Sequence, residues 1–220
     1  MRDLIDDVPD ALTSFLTRWY GPPARTPVDD SGRHHLPAAL HEWYRTTRRW
    51  QTTMVHDRIF LKPEHLRDHD GLTLFMIDSE GDGLWAFDPA ADGNPVYHRD
   101  PAAESWSLCE LTLRRFLLLT VAAEVALYGT YARCSWTASK AQAQQVTTTM
   151  AEVPHHPMSW PTPGARLYCG PETLAVVAPS WSDKPLIPRT FALLLAGRPR
   201  WALDAAALPD GDDWLRRPLP

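Results

Sequence analysis

The chain has 220 residues, 44% of them hydrophobic and 22% charged, with 22 Lys+Arg against 27 Asp+Glu. That is enough to bury the core of one domain, or of one domain with an appendage, and ten Trp argue against disorder. A net charge of −5 argues against a dedicated nucleic-acid binder, which carries a concentrated positive surplus. The longest oily run, Phe116 to Tyr128, is too short to cross a bilayer and contains Glu124, so no membrane partner is expected. The start lacks the basic-then-apolar plan of a secretion signal. Cys109, Cys134 and Cys169 are odd in number and far apart, which points to a reduced, cytoplasmic protein. There are 21 Pro, nearly double the ordinary share of about 5%, and twelve of them lie from Pro154 onward.

The first predicted element is a helix from about Asp10 to Tyr20, with Leu12, Phe15, Leu16 and Trp19 on one face, Asp10 as its cap and Gly21-Pro22-Pro23 as its stop. A second helix is expected from Pro37, with Leu36, Leu40, Trp43, Thr47 and Trp50 as its inner stripe. Ile59 to Leu61 reads as a short strand and Lys62 to Leu66 as a turn. Leu72 to Ile77 reads as a strand covered on both faces, followed by a turn over Asp78 to Gly83. Leu84 to Phe87 and Pro95 to His98 complete an antiparallel meander. Ser107 and Glu110 stand at capping-box spacing before an apolar stretch, which predicts a long buried helix ending near Gly129.

Residues 137–150 are polar and hold few cues. Arg166 to Cys169 and Leu174 to Ala178 are expected to pair as a hairpin, with a further strand over Phe191 to Ala196 and a short helix over Leu203 to Leu208. The fold class is α+β: N-terminal helices on a mostly antiparallel sheet, a long buried helix after the meander, and extra C-terminal strands. The expected division is a core over residues 1–136 and a Pro-rich extension over 137–220, either added to the same sheet or forming an accessory layer of the same domain.

Chemistry-bearing patterns are incomplete. Asp78, Glu80, Asp82 and Gly83 match positions one, three, five and six of a calcium loop, but position twelve is Pro89, where a bidentate carboxylate is required. His41-Glu42 lacks the second histidine of a helical zinc motif. There is no nucleophile elbow, P-loop or dinucleotide fingerprint, so no cofactor is expected. Arg45, Arg48 and Arg49 beside Trp43 and Trp50 mix cations with rings that could meet phosphates, yet a solvated helix face above a Trp-anchored core explains them more simply. Between Met76 and Glu110 there are eight acidic residues against Arg99 alone, with Trp85 and Trp106 in the same stretch. Such clustering suits a docking face for a basic protein, and equally suits ordinary solvated turns.

Taken in order, Leu36-Pro37-Ala38-Ala39-Leu40-His41-Glu42-Trp43-Tyr44, Gly71 to Phe75, Glu80 to Phe87, Asn94-Pro95-Val96-Tyr97, Trp106 and Phe116-Leu117 resemble the SUKH superfamily of Smi/Knr-like domains. The resemblance covers residues 10–130. It departs from the usual pattern in the turn, here Asp78-Ser79-Glu80-Gly81-Asp82, and in the Pro-rich tail after Val153. It implies a single α+β domain without catalytic residues, which in bacterial relatives neutralises a cognate toxin by binding it in the cytoplasm. The expectation is therefore a non-catalytic immunity protein with a basic toxin as partner, held by Asp78, Glu80, Asp82, Trp85, Asp88 and Asp92. A Smi/Knr-type scaffold or regulator is the alternative, and a hydrolase using Asp78, Glu80 or Asp82 with a metal comes last.

Overall fold

Apolar spacing sets the first helices. A computed structural model describes residues 2–6, 8, 10–26, 36–81, 83–100, 102–154, 162–180, 190–205 and 215–216. After a short α1 (Arg2–Ile5), α2 (Ala11–Tyr20) buries Leu12, Phe15 and Leu16, and Gly21 ends it in a left-handed conformation (φ 79°) that suits a residue without a Cβ. Asp10 does not cap it through its side chain; its own backbone is left-handed, and its carbonyl accepts from Ser14 N at 2.9 Å. In α3 (Ala38–Thr47) the buried stripe is Leu40, Trp43 and Thr46, and Thr47 points to the side. Trp50 lies past the end of α3 and is still buried, because its Nε1–H donates to the Gly21 carbonyl at 2.9 Å and ties the ends of α2 and α3 together.

The fold is α+β, and every pairing among the described strands is antiparallel. The chain divides into two compact units, Val8–Val121 and Met1–Asp7 with Ala122–Pro220. In the first, the sheet runs β1 (Arg58–Phe60), β3 (Leu72–Asp78), β4 (Leu84–Phe87), β5 (Pro95–Arg99) and β6 (Ser107–Thr112), with β2 (Arg67–His69) also on β3. The meander is thus longer than expected at both margins. Residues 62–66 hold a 3-10 turn over Pro63–His65, and β2 follows it. Asp70 and Gly71, both left-handed (φ 59° and 82°), make the two-residue turn between His69 and Leu72.

Ser107 and Glu110 are not a helix cap. They belong to β6, where Glu110 adopts φ 53°, and the helix α4 (Leu113–Tyr128) starts only at Leu113. The expected helix end is correct, since Gly129 N donates to Val125 O at 2.8 Å one residue beyond Tyr128.

A bulge in β3 shapes the first core. Leu74 pairs with Ala86 and Met76 with Trp85, so Phe75 is the extra residue. Phe75 is fully buried, with ring centroids 6.1 Å from Phe60, 5.8 Å from Phe87 and 5.8 Å from Phe116. Trp43 extends this aromatic chain, 4.4 Å from Phe60. Both-face burial at the centre of β3, expected from its unbroken apolar run, is present at Leu74, Phe75 and Met76.

The C-terminal strands do not extend that sheet. They form a second one in the order β12 (Leu215–Arg216), β7 (Ala132–Ala138), β11 (Phe191–Gly197), β10 (Thr173–Pro179), β9 (Arg166–Cys169), β8 (Ala151–Glu152). The expected hairpin is β9–β10, with Leu174 opposite Cys169. The cue-poor stretch 137–150 holds α5 (Lys140–Thr147), whose capping box joins Ser139 and Gln142 reciprocally at 3.2 and 2.7 Å. Val146 of α5 and Leu203 of α6 (Arg200–Ala205) pack with Ala175, Leu193 and Leu195 in the core of this unit. The expected short helix thus starts at Arg200, and residues 206–208 lie outside the described ones. Among the described residues no helix is long and apolar enough to cross a membrane.

Candidate docking surface

The turn between β3 and β4 is built around Asp78. Its backbone N–H donates to Gly83 O at 3.0 Å, its carbonyl accepts from Gly81 N at 3.2 Å, and its carboxylate Oδ2 accepts from Gly83 N at 2.7 Å. Ser79 N donates to Asp57 O at 3.0 Å, which joins this turn to the segment leading into β1. Asp78 is therefore half-buried and structural, while Glu80 projects into solvent. Asp82 lies outside the described residues.

The turn between β4 and β5 is held by a different aspartate. Asp88 Oδ1 accepts from Ala90 N at 2.8 Å and Ala91 N at 3.3 Å, and Asn94 Nδ2 donates back to Asp88 O at 3.0 Å. Asp92 is exposed. These two acidic turns do not combine into one patch. They leave β4 from opposite ends, and four extended residues separate them by roughly 13 Å.

The end carrying the β3–β4 turn gathers further carboxylates. Asp57 precedes Arg58, whose strand partner is Asp78, and Asp100 follows Arg99, whose strand partner is Leu84. Asp100 is 67% exposed. Beneath them, Trp85 is only 4% exposed, with its ring 4.6 Å from His98 and the Arg58 guanidinium 5.9 Å above its centroid. Trp85 is a floor under this end of the sheet, with little ring surface to offer a partner. Burial pushes the His98 imidazole below its usual range; Asp100 pulls it back up from 3.4 Å, Arg58 adds to the lowering and Asp78 opposes it.

Two features went unrecognised in the sequence. The first is a cluster at the β2–β3 hairpin tip. His69 Nδ1 lies 3.0 Å from Asp70 Oδ2, and Arg99 reaches His69 Nε2 at 3.0 Å and Asp70 Oδ2 at 3.4 Å. The Arg99 guanidinium also lies 5.0 Å from the Trp106 ring. The basic residue in the acidic stretch is therefore engaged by Asp70, and Trp106 serves as its platform. The second is a cleft of about 310 Å³ between α3 and β1, lined by Trp43, Tyr44 and Phe60 together with Arg48 and Arg58. The Arg48–Trp43 spacing hinted at it; Arg58, on a separate strand, carried no such signal.

Among the described residues, no group of three or more His, Cys, Asp or Glu could hold a metal ion. Burial pushes the Cys109 thiol up to about 12, which keeps it protonated and poorly nucleophilic. Comparison with protein-family models, with curated proteins and with solved structures finds no match to this chain.

Proposed function

We propose that this chain is a non-catalytic binding protein of SUKH type that docks a basic macromolecule on the β3–β4 end of its first sheet. In the immunity setting the partner is a cognate toxin, met in the cytoplasm and neutralised by covering its substrate-binding face. The observation that carries this reading is the gathering of Asp57, Asp78, Glu80 and Asp100 at one sheet end, around a turn locked by three hydrogen bonds. A pre-ordered turn loses little entropy on binding, and a rim rich in carboxylates steers an oppositely charged partner. The element order from α2 to α4, two helices, a meander and a helix, also supports it.

Relative to the expected residue set, the proposed face keeps Asp78 and Glu80 and adds Asp57 and Asp100. It leaves out Asp88 and Asp92, which lie at the other end of β4, and Trp85, which is buried. Co-expression with the protein encoded beside this chain tests the reading. The neighbour is expected to be toxic alone and harmless together with this chain. A neighbour that is harmless by itself, or that kills regardless, removes the immunity reading.

A further inference from the structure

A cleft of about 310 Å³ lies at the small end of the range that holds small-molecule ligands, roughly 300–1,000 Å³. Its walls are aromatic and fixed. Trp43 packs on Phe60 at 4.4 Å, and the Tyr44 hydroxyl donates to the Leu61 carbonyl, so the Tyr44 ring cannot swing freely. Met54 and Val55 add apolar surface. The Thr47 hydroxyl is already committed to Trp43 O at 2.8 Å.

The charged groups of the lining are both guanidinium. Arg48 is exposed at the mouth, 5.9 Å from the centre of the Tyr44 ring, and Arg58 is buried at 6% exposure. Carboxylates stay outside the lining: Glu64 acts on Tyr44 from beyond it, and Asp78 stands opposite Arg58 on the neighbouring strand. Flat rings offer stacking surface to a planar ligand. A guanidinium offers paired N–H donors matched to a carboxylate, and the two forms of recognition combine in one small volume.

We propose that this cleft binds a small aromatic carboxylate, with the ring against Tyr44 and Phe60 and the carboxylate on the Arg48 and Arg58 side. The cleft shares Arg58 with the docking end, where the guanidinium lies over Trp85, but its ligand and its test are separate from the partner's, so either reading can fail without the other.

The full chain, isotope-labelled, is titrated with indole-3-acetate and benzoate, with indole-3-acetamide and acetate as controls lacking the charge or the ring. Saturable amide shifts confined to residues 43–60 are expected. Each control should bind at least about tenfold more weakly. Arg48→Gln removes an exposed guanidinium and Thr52→Trp fills the exposed rim; each should weaken indole-3-acetate at least about tenfold while leaving the rest of the spectrum in place. Absence of saturable shifts up to about 10 mM, equal binding of the acetamide, or full affinity in both variants would overturn the assignment.

Discussion

His98 is a group whose environment predicts a pH response. Its folded imidazole titrates below the ordinary value of about 6.5, chiefly because it is buried. The unfolded chain therefore takes up the proton first as pH falls. The contribution to stability is complete above about pH 6.5 and is lost as pH drops through the lower, folded value. Thermal melts of His98→Gln should show a shallower loss of Tm than the parent over that acidic window; parallel curves would contradict it. Gly83 tests the Asp78 anchor. A Cβ there would stand 2.9 Å from Asp78 Oδ2 and 3.1 Å from the Trp85 ring, so Gly83→Ala should cost about 1–3 kcal/mol in chemical denaturation. At this scale the sequence identified Asp78 and Trp85 as notable residues, and the fold makes Asp78 the anchor of its own turn and buries Trp85 beneath the sheet end. Their acidic and aromatic character was visible, but the hydrogen bond that turns Asp78 inward depends on how its own turn folds back to Gly83, and the His98 ring that covers Trp85 comes from β5.

Elements were legible where apolar periodicity dominates. α2, β3, β4 and the β9–β10 hairpin match their patterns because one buried face writes itself into the spacing. The errors have local causes. Ser107 and Glu110 imitate a capping box, yet β5 claims the segment, with Ser107 opposite His98 and Leu108 opposite Tyr97. The true box at Ser139 and Gln142 precedes a helix with only Ala143 and Val146 buried, too few to stand out. Ser139→Ala should lower stability by about 1 kcal/mol, read from the denaturation midpoint, through the loss of that cap. The bulge left no sequence signal beyond adjacent Phe75 and Met76. Phe75→Ala should cost about 3–5 kcal/mol because it empties the junction of Phe60, Phe87 and Phe116. A loss below about 1 kcal/mol would mean that the aromatic chain is not the core it is described to be.

For the whole molecule, the decisive correction concerns connectivity. A composition count merges all acidic residues between Met76 and Glu110 into one patch, whereas successive turns of a meander emerge at alternate ends of the sheet. The alternation was available from the predicted strands, and applying it divides Glu80 from Asp92. The contribution of Asp57 and Asp100 follows from register and could not be read without it. In the proposed function the β3–β4 end alone receives the basic partner. The most direct test is calorimetric affinity for the adjacent-gene protein with Glu80→Lys and Asp92→Lys measured side by side, since both side chains are exposed and distant from the core. The expected result is at least about a tenfold loss for Glu80→Lys and parental affinity for Asp92→Lys. Equal losses, or no loss in either, would contradict it.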